Sequence, residues 1–139
     1  MRSTVDVYPH DMAVIEALET IGHPVGFGQA PPGALEGVVK RTGPDYLVLY
    51  PLGSARDGNL GDPWTDAALT YQVTVVGRTA PGVRWLLDKI EPALLAVAVP
   101  GRAVRSVTPE DDSGVRPDFD TDPPVLIATP RFRILTVPA

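Results

Sequence analysis

Residues 69–79, which read LTYQVTVVGRT, carry the clearest structural signal in the chain. Their side chains alternate between apolar and polar as far as Val75. The apolar positions are Leu69, Tyr71, Val73 and Val75, and the polar positions between them are Thr70, Gln72 and Thr74. An alternation with a period of two residues is typical of a β-strand that turns one face towards a core. The stretch therefore predicts a half-buried strand that ends at Gly77.

A helix is predicted on each side of this strand in the sequence. The second helix begins at Pro81-Gly82, carries apolar side chains at helical spacing and is expected to end at about Leu95 or Val97. Pro92 lies inside this stretch and is expected to kink the helix or to divide it in two. Residues 9–21 show the same spacing, begin at a proline and stop before a glycine, as helices commonly do.

Further strands are predicted from shorter apolar runs. Residues 46–52 form a strand whose continuous apolar run indicates cover on both faces. Residues 36–42 are its predicted hairpin partner, joined to it by a turn at 42–45. The remaining strands are predicted at 25–27, at 102–107 and at 125–137. The last stretch is one long strand or two shorter ones, and Pro130 marks a bend or an edge position.

The order of these elements predicts an α+β fold. It consists of a mostly antiparallel sheet of four or five strands with two helices packed on one face. The chain has 139 residues, an ordinary apolar content of 44% and no internal repeat, so a single domain over residues 1–139 is expected.

The negative charge of the chain is concentrated in one Pro-rich segment, residues 109–124. Six acids lie there with a single base, Arg116: Glu110, Asp111, Asp112, Asp118, Asp120 and Asp122. Their sum equals the net charge of −5 of the whole chain, so the remainder is neutral. An acidic loop is predicted here. Three interpretations of it are open: a solvated loop, a surface that faces a neighbouring subunit or a channel, or a cluster of catalytic carboxylates. The acidic balance disfavours non-specific binding of nucleic acid.

The sequence lacks the residue patterns of the common enzyme and cofactor sites. It has no cysteine, and its only histidines, His10 and His23, belong to no metal-ligand motif. No serine lies in a nucleophile elbow, and no glycine-rich loop fits a nucleotide-binding fingerprint. We therefore expect no enzyme activity, no cofactor and no metal. The absence of a long apolar run predicts a protein that contacts no membrane and is made in the cytoplasm.

A long polar loop is predicted over residues 53–66. Its candidate contact residues are Arg56, Asp57, Asn59 and Trp64. The acids of this loop do not follow the ligand spacing of a calcium-binding loop. The indole of Trp64 is expected either to fold back on the core or to contact a partner.

The last strand predicts a second candidate contact. Arg131 and Arg133 alternate with Phe132 and Ile134, so one face of this strand is apolar and the other carries two guanidinium groups. These arginines form either an ordinary polar sheet face or a contact between subunits. In the second case the acidic segment of a neighbour would be a suitable partner.

Several of these segments together resemble the tail terminator, or tail-completion, proteins of long-tailed bacteriophages. They are Tyr50-Pro51-Leu52-Gly53, Asp62-Pro63, residues 69–79 and the helix through Trp85-Leu86-Leu87-Asp88. The Tyr-Gln-Val-Thr strand before a glycine and a helix is the most specific part. The match covers roughly residues 8–100 of the chain.

The resemblance implies an α+β virion subunit that acts by assembly and not by catalysis. Members of this family form a homo-hexameric ring that caps the tail tube and then meets head-completion or connector proteins. DNA passes through the central hole without specific binding, and an acidic wall would keep the phosphate backbone from adhering. By analogy, loop 53–66 and segment 109–124 are the candidate contacts with the tube protein, a neighbouring subunit or the lumen.

Two other interpretations stay open. Another protein of the phage neck, such as a head–tail stopper or connector, shares the small ring-forming α+β architecture. A small metal-dependent hydrolase would use Glu110, Asp111, Asp118 or Asp120, although no His or Lys lies among these acids to complete such a site.

Overall fold

The computed structural model describes residues 7–56, 66–111 and 114–139, which form an α+β fold. The helices are α1 (Val7–Glu19), α2 (Ala34–Lys40) and α3 (Ala80–Leu95). The strands are β1 (Val25–Phe27), β2 (Tyr46–Arg56), β3 (Ala67–Gly77), β4 (Arg102–Asp111), β5 (Arg116–Asp118), β6 (Val125–Ala128) and β7 (Arg131–Pro138).

The seven strands form one sheet with β3 at its centre. One edge of β3 pairs with β2, and the other edge pairs with β7 over residues 67–72 and with β6 over residues 75–77. Strand β1 adds to β2, β4 adds to β7, and β5 adds to β6. The sheet is mixed because β1 runs parallel to β2, while the other pairs among the described strands are antiparallel. The prediction of four or five strands was therefore too low.

Of the two predicted arrangements of residues 125–137, the structure has the pair of shorter strands, which are separated at Thr129 and Pro130. Proline has no backbone N–H to contribute to a ladder. Its carbonyl still takes part, because the Val73 amide donates a hydrogen bond to the Pro130 oxygen at 3.0 Å. Strands β6 and β7 thus follow the same edge of β3, one after the other.

Helices α1 and α3 pack on one face of the sheet, as their apolar stripes predict. The buried core between the layers includes Val14 and Leu18 of α1, Leu86 and Ile90 of α3, and Leu49, Tyr71, Val73, Phe132 and Ile134 of the sheet. At the start of α3, the Thr79 hydroxyl accepts a hydrogen bond from the Gly82 amide at 3.2 Å. Pro92 lies inside α3, which continues as one helix and is not divided in two.

Helix α2 corrects the prediction of a strand at 36–42 and of only two helices. Glu36 and Lys40 form an ion pair at i,i+4 spacing, which only a helix brings together. Helix α2 contributes Val38 to a second core cluster on the opposite face of the sheet. A segment of seven residues with few apolar positions does not separate the two periodicities well, which explains the error.

Strand β2 is covered on both faces where it lies beside β1. Tyr46 and Val48 belong to the cluster under α2, while Leu47 and Leu49 belong to the core under α1 and α3. All four side chains are buried. This arrangement confirms the prediction drawn from the continuous apolar run.

The carboxylate of Asp45 contacts the backbone where β3 ends and α3 begins. Its Oδ1 accepts a hydrogen bond from the Arg78 amide at 3.2 Å and lies 3.8 Å from the Arg78 Nε. Its Oδ2 lies 2.8 Å from the position that a Cβ would take at Gly77, and at the same distance from the corresponding position at Gly82. Glycine at both positions leaves room for the carboxylate beside the first turn of α3, where the helix dipole favours negative charge.

We predict that Gly77→Ala destabilises the fold by about 1–3 kcal/mol, because the added methyl would overlap with buried and charged neighbours. The new Cβ would lie 2.8 Å from the Asp45 Oδ2 and 2.8 Å from the Val83 Cγ2. Urea denaturation followed by circular dichroism measures the change. Gly53→Ala is the matched control, since nothing lies within 4 Å of its Cβ position. Equal stability of the two variants would contradict this account of Gly77.

Candidate functional site

Strand β7 presents two arginines on the face of the sheet away from α1 and α3. Arg131 and Arg133 are exposed, while Phe132 and Ile134 between and beyond them are buried in the core. The Arg131 Nε donates a long hydrogen bond to the Gln72 Oε1 of β3 at 3.4 Å. We call the surface formed by Arg131 and Arg133 the arginine face. The alternation of basic and apolar residues along this strand, predicted from the sequence, places both guanidinium groups on the arginine face.

The same face becomes apolar further along β7. Leu135 and Val137 follow the arginines at alternate positions and are half-buried. In the register of the sheet Leu135 lies opposite Ala68 of β3, and Val137 lies opposite Ala103 of β4. A basic surface and an apolar surface therefore adjoin on a single strand.

The second half of the acidic segment forms strand β5 and a turn, not the predicted loop. The Val125 amide donates to the Thr121 Oγ1 at 2.9 Å, and the Thr121 hydroxyl lies 3.1 Å from the Pro123 carbonyl oxygen. The Asp120 amide donates to the Asp118 Oδ1 at 3.0 Å. We call residues 118–122 the acidic turn. Its local hydrogen bonds give it a defined shape.

The acidic turn carries an apolar side chain among its carboxylates. Phe119 is 80% exposed, while Asp120 and Asp122 are exposed and Asp118 is half-buried. Burial, followed by the charges of Tyr50 and Asp118, raises the pKa of Tyr46 above its ordinary value.

The other predicted acids lie on β4. Glu110 is exposed on this strand, and Asp111 lies opposite Arg131 in the register of β4 and β7. Asp112 lies outside the described residues. The acids of segment 109–124 are thus divided between the end of β4 and the turn after β5. The prediction of one continuous acidic loop was wrong, because parts of the segment pair with β7 and with β6.

The acidic turn and the arginine face are far apart within one chain. Leu126, close behind the turn, pairs with Gly77 of β3, whereas Arg131 pairs with Gln72 and Arg133 pairs with Thr70. Five to seven residues of β3 separate these positions, which is about 17–23 Å at the rise of an extended strand. The two surfaces cannot meet without a second copy of the chain.

The candidate contact loop 53–66 is described only at its two ends. Arg56 is the last residue of β2 and pairs with Ala67. Asp57, Asn59 and Trp64 lie outside the described residues.

A buried polar network that the sequence pattern does not predict connects α1 to the sheet. The His10 Nε2 lies 2.7 Å from the Thr136 Oγ1, which also accepts a hydrogen bond from the Arg102 Nε at 3.0 Å. The Tyr71 hydroxyl donates to the Asp11 Oδ1 at 2.6 Å. His10, which belongs to no metal-ligand motif, is 2% exposed. Its spacing from Val14 and Leu18 places it on the buried stripe of α1, and this spacing was the available signal.

The described residues contain no group of three or more His, Asp or Glu side chains that could hold a metal ion. None of the described helices combines the length and apolar character needed to cross a membrane.

No family model matches the chain, and a search of curated proteins gives no match.

We predict that the stabilising effect of Tyr71 is lost in alkali. Burial, with the hydrogen bond to Asp11, raises the pKa of Tyr71 above its ordinary value of 10.0, so above that pH the unfolded chain loses this proton while the folded chain keeps it. Tyr71→Phe should cost about 1–3 kcal/mol of unfolding free energy at pH 7, because the buried Asp11 loses its donor.

Denaturant unfolding between pH 7 and pH 11 tests this prediction. The stability difference between the native protein and Tyr71→Phe should shrink once the pH rises above about 10. Tyr8→Phe is the control at an exposed tyrosine, which is 67% accessible. A difference that stays constant over the whole range would contradict the prediction.

Proposed function

We propose that the protein is a structural subunit of a bacteriophage virion, a tail terminator that forms a homo-hexameric ring on the end of the tail tube. The ring stops tube growth, presents a surface to head-completion or connector proteins, and lets DNA pass through its centre. Its action is assembly, for which no cofactor is required. In this proposal the protein resides in the tail or neck of the virion.

Segments that carry the resemblance form one structural unit, which supports the proposal. Residues 50–53 lie on β2 beside β3, and β3 leads through Gly77 into α3. Trp85 on α3 is 49% exposed, its ring centroid lies 5.8 Å from that of His23, and the Lys89 Nζ lies 5.1 Å from the ring centroid. Half-exposed indole rings are frequent anchors of protein interfaces.

The observation that carries the proposal is the separation of two surfaces of opposite charge. The acidic turn and the arginine face carry charges of opposite sign, yet they lie about 20 Å apart on one chain. A head-to-tail contact between copies would bring them together. Contacts of this kind generate rings when the rotation between subunits closes.

Another neck protein, a head–tail stopper or connector, is the alternative function, since it would use the same surfaces for the same kind of ring. The hydrolase interpretation has less support. Of its candidate residues, Glu110 lies on β4 and Asp118 lies on β5, and these strands pair with different partners in the sheet.

We predict that the purified protein binds the ends of tail tubes. Negative-stain imaging should show a ring on one end of each tube, and further addition of tube protein at that end should stop. Isolated connector complexes serve as the comparison: binding to these in place of tube ends would favour the alternative neck function. Tubes that remain uncapped and continue to grow would contradict the proposal of a terminator.

A further inference from the structure

We propose that the acidic turn of one copy docks on the arginine face of the next copy, with Phe119 seated against Leu135 and Val137. The contact is head-to-tail, so each copy uses its turn on one neighbour and its sheet face on the other. This inference rests on the proposed function and specifies the contact by which the ring would close.

The acidic turn projects an apolar side chain that could insert into a surface of another copy. Phe119 is 80% exposed, between the half-buried Asp118 and the exposed Asp120. The hydrogen bonds of Thr121 and of the Asp118 carboxylate fix the turn in the free subunit. A preformed turn loses little conformational entropy on binding, so its apolar side chain can contribute more fully to the contact.

Strand β7 carries basic side chains and then apolar side chains on one face, which complements the acidic and apolar side chains of the turn. Arg131 and Arg133 are followed on the same side of β7 by Leu135 and Val137. Alternate residues of a strand lie about 7 Å apart. A turn that places Phe119 on the apolar end therefore brings neighbouring carboxylates within reach of the guanidinium groups, which bind carboxylates through paired hydrogen bonds.

Other charged residues lie at different register positions relative to the arginine face. Asp111 lies opposite Arg131 in the strand register, whereas Arg116 lies on β5, which pairs with β6 and not with β7. The Arg116 Nη2 lies 3.5 Å from the Thr129 Oγ1. Exposed charges of this kind determine orientation and choice of partner more than they determine affinity, and added salt weakens them.

A disulfide trap tests the contact, because the chain contains no cysteine that could interfere. Leu135 pairs with Ala68, and Leu126 beside the turn pairs with Gly77. Nine residues of β3 therefore separate the two sites by about 30 Å. A disulfide needs Cα atoms within about 7 Å of each other, so Phe119→Cys and Leu135→Cys in one protein can be linked only between copies.

The doubly substituted protein should form a ladder of covalent oligomers under mild oxidation, ending at the size of the closed ring and collapsing to monomer on reduction. The control combines Phe119→Cys with Leu95→Cys, because Leu95 is 58% exposed on α3, away from the arginine face. The control should give no ladder. Equal ladders from both proteins, or no interchain link with or without tail tubes, would overturn the proposal.

A charge exchange gives an independent test. The pair Arg131→Glu and Arg133→Glu, or the pair Asp120→Lys and Asp122→Lys, should each weaken self-association by at least about tenfold. A mixture of the two proteins should restore association, because an acidic face then meets a basic turn and a basic face meets an acidic turn. Glu16→Lys with Glu19→Lys is the matched control on the exposed side of α1 and should have little effect.

The outcomes separate this contact from the broader function. If the charge-exchanged proteins form rings on tube ends as the native protein does, the proposed contact is wrong while the terminator function stands. If the doubly substituted protein forms the disulfide ladder but the native protein never binds tube ends, the contact stands and the terminator function is wrong. Circular dichroism and thermal melting confirm that each variant is folded.

Discussion

Strand β3 is hydrogen-bonded along both edges, and the rest of the fold depends on this constraint. A central strand must satisfy its amides and carbonyls on two sides. Here β2 supplies one side and the successive strands β6 and β7 supply the other. The break at Pro130 is tolerated because its carbonyl still accepts the Val73 amide. The positions of both arginines and of the acidic turn follow from this pairing, since they lie on strands that β3 holds in register.

The two faces of the sheet differ in how they are covered. Helices α1 and α3 seal one face, and the polar groups within that core are paired, as in the contact of Tyr71 with Asp11. The short α2 covers only the end of the other face near Tyr46 and Val76. The half that α2 leaves uncovered carries the arginines. Stability and candidate function are thus assigned to different faces of the same strands.

The sequence predicted the parts of the fold that local periodicity determines. The alternation in residues 69–75 and the continuous apolar run of β2 both describe burial correctly. Helix α2 was mistaken for a strand because its deciding contact, Val38 against Val76 and Val125, joins residues distant in the sequence. The acidic turn was predicted as a loop for a similar reason. Its shape depends on Thr121 and on pairing with β6, and neither produces a periodic pattern. The sequence alone predicted that Arg131 and Arg133 lie on one face of a strand. The distance between this face and the acidic turn could be obtained only from the strand register of the structure.

The irregular backbone of β4 has a consequence for how copies of this protein can associate. Among the described strands β4 pairs with β7 alone, so its outer edge is a template for a strand from another molecule. The register of β4 shifts between Val104 and Ser106 and again between Pro109 and Asp111, and the regular run between the shifts includes a proline without an N–H. A strand from another molecule could therefore form only a few consecutive backbone hydrogen bonds with this edge. Growth of a fibre by addition of strands to this edge is therefore disfavoured.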